Sequence, residues 1–564
     1  MNAIASATGT PISTPSDFPV DWARPEFAAY HWTRDREHLP DPVTPMFLSC
    51  AREMGIESRR RAAVYDEAIV ERYDIPINHY LYTCLLPFSG TPEELDARAR
   101  RNREKVGAVS ARLPEVWETE WQPALASAWA FWATFDLEAA DTPALGTHLE
   151  ESLARGAQLY EIHYLMGPPM WFAIDAFESA YCDLFPGKTR LDAHRLLQGF
   201  DNKTLEMGRA LWHLRDVAAT CPFVRRVLAD LPAVDVCAAL TGFEEGERFL
   251  DELRAFLAAY GRRSDLWDWG HPSWEDDPTP VINNVKNYLS QPERDLWAEL
   301  DEAAARREAA VDEARRTLAG YPQPVADRFE RLLASAQTAL VLTENHTYYI
   351  DFNGFGWIHR VIHTLGARFA TAGRLDRPDD VFYLHLDELR AMIADPSLDR
   401  SAVARQRRAE VARWAACDEP RELGVRPAEA LYLYSPDARR MLRYVGGFAV
   451  EAAPPPPKPG VLYGQAGSPG TVRGPARVVL TLADAHRLQP GDVLVTRTTA
   501  PPWTPLFLTA AAVVTDAGGL LSHGAVVSRE YGIPAVVGTH SATALIADGQ
   551  LVEVDGSNGE VRLV

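Results

Sequence analysis

From Pro92 onward the apolar positions recur mostly three and four residues apart, so the pattern predicts a succession of helices reaching to about Val450. The first two run over Pro92–Ala111 and Val116–Trp132. The second carries Trp117, Trp121, Trp129 and Trp132, a stripe that reads as core. Helical spacing continues through 147–214 and 242–259, then through the charged, alanine-rich 292–318, whose Glu and Arg residues suit a solvated face, and through 334–370, where Gly354 and Gly356 interrupt it. The alternation expected of strands is scarce in this part. Residues before Trp22 read as loop, and the aromatic and charged residues from Trp22 to Pro45 alternate without a clean period, as in a segment wrapped over a neighbouring unit. Tyr260–Leu289 is too rich in Pro and Gly to be read as helix, and Arg374–Met392 reads as a turn, a short extended piece at Val381–Leu384 and a helix.

At EAAPPPPKPG, residues 451–460, the pattern changes. Consecutive prolines favour an extended, semi-rigid spacer. Beyond it lie short Val-rich strands separated by Gly and Pro turns, about one hundred residues of α/β character. The expected layout is a flexible N-terminus over 1–20, a mainly helical body over 21–450, a linker over 451–460 and a C-terminal α/β domain over 461–564.

Composition narrows the classes. A formal charge of −21 disfavours nucleic acid, and no basic stripe interleaved with aromatics offsets it. No apolar run approaches the roughly 18 residues that span a bilayer, and residues 1–17 lack the basic start and apolar centre of a leader, so a cytoplasmic protein is expected. The six cysteines show no C-x-x-C spacing and read as ordinary buried thiols.

The densest chemistry lies in VVTDAGGLLSHGAVVSREYGIPAVVG, residues 513–538. An apolar strand, a Gly518-Gly519 turn and a short helix opening at Ser522-His523 put one imidazole at a helix N-terminus. Free N–H groups and the positive end of the helix dipole favour an anion there and a neutral ring with a lone pair for phosphorus. Thr496, Thr498 and Thr499 lie near enough in sequence to reach a phosphoryl group or simply to form turns. In the body, helical spacing sets Glu344, Tyr348 and Asp351 on one face. His359 and His363 are four apart, but no H-E-x-x-H accompanies them and no metal is expected. Glu344, His346, Arg360 and His363 can line a pocket in which a hydroxyl is deprotonated and a phosphate steadied, or can be satisfied polar residues between helices. Arg262 or Arg263 can bind an anion or form a surface ion pair.

The 513–538 segment resembles the mobile phosphohistidine domain of phosphoenolpyruvate-utilising and dikinase enzymes. It keeps the family's Gly-Gly, the Ser-His pair and the Arg-Glu followed by Gly-Ile-Pro-Ala-Val; Gly524 and Ser528 stand where Ala is usual. The resemblance implies a swivelling domain phosphorylated on His523. HWTRDREHLPDP, PSWEDDPTPV and RPDDVFYLHLDEL resemble parts of transferases acting on organic acceptors, the rifampicin phosphotransferases and phenylphosphate synthases. In such enzymes an ATP-grasp unit loads the histidine, releasing AMP and phosphate.

No Gly-rich phosphate loop with its lysine is found, and no stretch remains for an ATP-grasp unit or a phosphoenolpyruvate-binding barrel. The expectation is therefore the acceptor-binding subunit of a phenylphosphate or 4-methylphenyl phosphate synthase, with ATP and Mg2+ supplied by a separate ATP-grasp subunit and phenol or p-cresol as the small aromatic substrate. Glu344, His346 and His363 are then the candidate bases, and Arg262, Arg263, Arg360, Arg368, Ser522 and Thr498 the phosphoryl-binding groups. A rifampicin-phosphotransferase-like subunit and a phosphocarrier or regulatory protein are the alternatives.

Overall fold

The computed structural model describes residues 9–36, 38–55, 63–264, 266–290, 296–427, 443–444 and 458–564. The proline-rich spacer lies outside the described residues as far as residue 457. Among the described residues no helix is long and apolar enough to cross a membrane. Cys50 and Cys84 are buried, but the other four cysteines are half-exposed, less hidden than expected.

The body is built on one long helix, Thr142–Leu184, with Asp141 as its N-cap accepting from the Ala144 N–H. It runs straight through Pro168 and Pro169. Pro169 has no N–H for the carbonyl of Leu165, and the Tyr65 hydroxyl donates to that oxygen instead at 2.9 Å. Against this helix packs a second, Gln323–His346, which passes through a turn of wider π-helix at Thr347–Phe352 into a third, Asn353–Thr371. Gly354 and Gly356 do not break the run. They serve close packing, since a Cβ on Gly356 would lie 2.0 Å from the Arg262 carbonyl oxygen. The tryptophan stripe divides: Trp121 and Trp132 are buried in two different core clusters, while Trp117 and Trp129 pack at the margins.

Several expectations need correction. The first ninety residues hold strands where loop was expected. Thr10–Pro11 (β1), His31–Arg34 (β2), Ile69–Ile77 (β3), Tyr80–Pro87 (β4) and Glu422–Arg426 (β5) form an antiparallel sheet of order β1-β5-β2-β4-β3. The hairpin from β3 to β4 turns on Asn78 and His79, both at positive φ, as a two-residue turn matching strand twist requires. Under the sheet lies an aromatic core of Phe18, Phe27, Trp32, Tyr80 and Tyr82, so the N-terminal aromatics pack on one another. The irregular stretch after Tyr260 ends in a helix, Thr279–Leu289, because Pro280 occupies its first turn, where proline is tolerated. Val381–Leu384 is not extended: Pro378–Tyr383 forms a 3-10 turn fixed by the Asp380 carboxylate on the Arg377 N–H.

The C-terminal unit is a mixed eight-stranded sheet of order β6-β13-β12-β8-β9-β10-β11-β7. Its strands are Val461–Tyr463 (β6), Gln465–Ser468 (β7), Thr471–Val478 (β8), Val493–Thr496 (β9), Ala512–Thr515 (β10), Ala535–Val537 (β11), Leu551–Asp555 (β12) and Glu560–Leu563 (β13). β8, β9, β10 and β11 pair in parallel. The first and last strands of this order are consecutive in the chain, separated by Gly464 alone, so the sheet curls round until one kinked segment serves both ends. Gly464 is tight at the kink: a Cβ there would lie 2.6 Å from the Val537 carbonyl oxygen.

This domain is docked on the body. Phe352 of the π-helix enters a core cluster made otherwise of C-terminal residues, and Val526 and Leu508 enter clusters of the body. The Tyr288 hydroxyl donates to Pro505 O at 3.0 Å, and the Leu520 and Leu521 N–H groups donate to the carbonyls of Arg443 and Tyr444. Gly519 sits within this last contact. Gly519→Ala would place a Cβ 2.7 Å from both carbonyl oxygens. It should loosen docking by roughly 1–3 kcal/mol while sparing the domain's own sheet. Hydrogen exchange should then rise at residues 519–523 and 443–444 and stay unchanged in β8 to β10; an unaltered pattern would contradict this.

Candidate active site

Strand β10 delivers the chain to Gly518, which takes φ of 116° to make the turn, and Ser522 adopts an extended N-cap conformation before the helix His523–Glu530. The Ser522 hydroxyl donates to Gly519 O at 2.8 Å and braces the turn. His523 stands at the first helical position and its side chain is 7 % exposed, so the ring is enclosed by the docked body. A Cβ on Gly524 would lie 2.9 Å from the Thr499 hydroxyl, which accounts for glycine where the family pattern has alanine. Ser528, the other departure, is fully buried and its hydroxyl has no hydrogen-bond partner.

Two side chains hold the imidazole. Its Nδ1 lies 3.1 Å from Oε2 of Glu344, and its Nε2 lies 3.2 Å from the Thr504 hydroxyl, with Phe507 edge-on to the ring. Glu344 is buried near the end of helix Gln323–His346, and the Thr204 hydroxyl donates to the same oxygen at 2.7 Å. Burial alone would raise the carboxyl's pKa. The neighbouring His523, with the bonds from His523 and Thr204, holds it below its ordinary value, so Glu344 is ionised. An ionised carboxylate accepts, so Nδ1 is the ring nitrogen that carries hydrogen, and in the neutral ring the lone pair then belongs to Nε2. That is the polarity a histidine nucleophile needs.

The other sequence candidates scatter. His346, two residues beyond Glu344, donates from Nδ1 to Leu342 O at 2.7 Å, and burial lowers its pKa. Arg263 is 1 % exposed; its Nε donates to Tyr260 O, and the guanidinium lies among the rings of Trp274, Tyr348 and Phe352. Among the described residues no carboxylate pairs with it, and burial pushes its pKa down to about 10. Arg262 and Arg360 instead share Glu275 and flank Trp357. His363 pairs with Asp379 at 3.3 Å, and Arg368 donates to Leu137 O and Glu138 O, so neither joins the His523 group. Thr498 lines a cavity of about 270 Å³ between the two units, with His38, Trp267, Trp274 and Trp503 also in its wall. Trp503 directly precedes the Thr504 that touches His523. Thr204, Thr504 and His163 were not among the sequence candidates. Only Thr504 carried a hint, since it belongs to the same Thr- and Pro-rich run as Thr498.

His523 thus stands at the N-terminus of a helix, on a compact α/β unit docked against a helical body. Residues 488–559 match the family model of the PEP-utilising enzyme mobile domain, and residues 170–344 that of the rifampicin phosphotransferase fourth domain. The chain thus carries a mobile domain of the PEP-utilising type and a domain like the rifampicin phosphotransferase fourth domain. It is 37 % identical to chondramide synthase cmdD of Chondromyces crocatus, over 98 % of this chain and 14 % of that protein. It is 34 % identical to a rifampicin phosphotransferase of Streptomyces sviceus, over 64 % of this chain and 40 % of that protein. The uncharacterized phosphotransferase YvkC of Bacillus subtilis is 27 % identical over 72 % of this chain and 47 % of its own length. The chain therefore spans less than half the length of these relatives.

At the far end of the same helix, Glu530 is buried against the body and accepts from the Gly199 N–H at 2.8 Å. Desolvation outweighs that bond and pushes its carboxyl up to about 7. The folded chain thus keeps a proton that the unfolded chain, with an ordinary Glu near 4.3, releases, so this residue's contribution to stability falls as pH rises from about 4.5 to 7 and is flat above. Glu530→Gln should remove that slope and, above pH 7, stabilise by on the order of 1–3 kcal/mol. Thermal melts of both proteins between pH 5 and 8 check this through their difference, which cancels the other carboxylates; a constant difference would contradict it.

Proposed function

We propose that the chain is the carrier-and-acceptor part of a phosphotransferase. His523 receives a phosphoryl group from ATP, held with Mg2+ on a separate ATP-grasp subunit or domain, and passes it to a hydroxyl of an organic acceptor bound by the helical body. The observation carrying this reading is the contact between Nδ1 of His523 and the buried Glu344 carboxylate across the two units. It fixes the tautomer from one domain for a nucleophile supplied by the other.

In the first step the Nε2 lone pair attacks the β-phosphorus of ATP and the P–O bond to AMP breaks; water then takes the terminal phosphoryl group as phosphate, leaving a single phosphoryl group on the ring. In the second, the acceptor oxygen attacks the same phosphorus, the P–N bond breaks and its electron pair returns to the ring, while the acceptor's proton passes to a base. Glu344 acts here as a positioning residue for the imidazole, much as a carboxylate orients a histidine in hydrolytic triads. Arg263, a buried cation without a carboxylate among the described residues, is the best-placed of the candidate arginines to offset the charge of the travelling group.

For the acceptor, the rifampicin phosphotransferase likeness over 64 % of the chain supports a hydroxyl on an antibiotic-like molecule. A second reading, phenol or p-cresol, is favoured by the tryptophan-lined cavity of about 270 Å³, a size suited to a single ring. ATP as donor puts either reaction in the cytoplasm.

Phosphorylating the purified chain chemically with phosphoramidate and then adding acceptors separates these readings. Rifampicin-dependent loss of label is expected; loss only with phenols would favour the second reading. Label that stays with every hydroxyl acceptor and moves to another protein would make the chain a phosphocarrier. His523→Ala should take up no acid-labile phosphate. Glu344→Gln should still fold but lose transfer by roughly 10²- to 10⁴-fold.

A further inference from the structure

Beyond His346, the π-helical turn Thr347–Phe352 has no counterpart in the helical spacing of the sequence. Such a turn closes over five residues, so it stacks residue i on i+5, and it commonly marks a functional site. Here it stacks Asp351 on His346, and both meet His163 of the long helix Thr142–Leu184. One ligand atom from each of the three lies within 4.8 Å of the others. The closest approaches are 3.1 Å from His163 Nδ1 to Asp351 Oδ1 and 3.9 Å from His346 Nε2 to Asp351 Oδ2. A tetrahedral ion with bonds of about 2.1 Å sets its donors about 3.4 Å apart, between those two values.

The hydrogen bonding points the same way. His346 spends its Nδ1 hydrogen on Leu342 O, which leaves the Nε2 lone pair turned towards Asp351. A backbone carbonyl holding the far nitrogen of an imidazole is the usual outer support of a metal-binding histidine. Asp351 has a side chain 3 % exposed, and its Oδ2 and His163 Nδ1 are both buried without a hydrogen bond among the described residues. If the cluster were only an ion pair, the 3.1 Å approach would be a made hydrogen bond; its geometry is not one. A buried carboxylate oxygen left without a partner is costly unless a cation completes it.

We propose that His163 Nδ1, His346 Nε2 and Asp351 form a binding site for one divalent first-row transition ion of the zinc class. Two imidazoles and one carboxylate suit Zn2+, Co2+ or Mn2+, and disfavour Mg2+, which prefers oxygen donors. Three protein ligands leave at least one position for water or an oxygen of a bound molecule. The site is distinct from any Mg2+ that accompanies ATP, and the inference does not rest on the phosphoryl-transfer reading.

The test uses the whole chain, stripped with a chelator and titrated with Co2+ and Zn2+. Expected are one equivalent of metal per chain, a Co2+ absorption band of a site with fewer than six ligands, and a rise in melting temperature with Zn2+ but not with Mg2+. Asp351→Asn and the double change His163→Ala with His346→Ala should weaken binding by at least roughly 100-fold, with circular dichroism showing that the fold persists. Unaltered affinity in folded variants would put the ion elsewhere and overturn the proposal. Should the variants fail to fold, the wild-type chain decides alone: no stoichiometric uptake at 0.1 mM Co2+ or Zn2+, or equal thermal shifts with Zn2+ and Mg2+, would equally overturn it.

Discussion

The molecule turns on one buried carboxylate. Glu344 lies in the interior of the body, where an ionised group is tolerable only if its lone pairs are met, and two hydrogen-bonding partners meet them: Thr204 from the body and His523 from the C-terminal domain. Separating the domains would leave Glu344 with half its partners, so docking and the protonation pattern of the imidazole are one equilibrium seen from two sides. A phosphoryl group on Nε2 would displace the Thr504 contact and bring negative charge towards Glu344. Under the proposed reading, loaded and unloaded rings would differ in their affinity for the body, the only kind of term by which a ligand can move a two-state equilibrium.

The site has a second layer of charge set by burial. Arg263 is enclosed by rings with no carboxylate of its own among the described residues, and the desolvation that closes over Glu530 raises its carboxyl to about 7. Both lie where helices of the body meet or approach the C-terminal domain. Neither burial would repay itself as simple packing, since each costs more than an apolar residue of the same size; both make sense where an anion is expected on one side and a reversible contact on the other.

Much of this was legible in the chain. The strand, turn and helix around His523 follow from an apolar run, two glycines and a Gly-Ile-Pro stop, all local signals, and helical spacing had set Glu344 on one face with Tyr348 and Asp351. Other parts were written in contacts far apart in sequence. Thr204 reaches Glu344 from 140 residues earlier with nothing in its neighbourhood to mark it, and Thr504 reaches His523 from 19 residues earlier, marked only by the Thr- and Pro-rich run it shares with Thr498. The N-terminal sheet was missed because Thr10–Pro11 and His31–Arg34 are too short to show an alternation and the strand Glu422–Arg426 lies more than three hundred residues from its partner His31–Arg34. The π-turn defeated a reading based on a period of 3.6: that spacing groups Asp351 with Glu344, whereas one widened turn hands it to His346 and His163.

The kink at Gly464 bears on what becomes of the C-terminal domain when it is not docked. Because β6 and β7 are two halves of one segment, the borders of the eight-stranded sheet are only three and four residues long. A border that short offers little template for a neighbour's backbone, which is how natural β-structures avoid sticking to one another. Under the proposed phosphotransfer reading, a domain that leaves its berth would travel without an adhesive rim, and its freedom to move would not come with a tendency to polymerise.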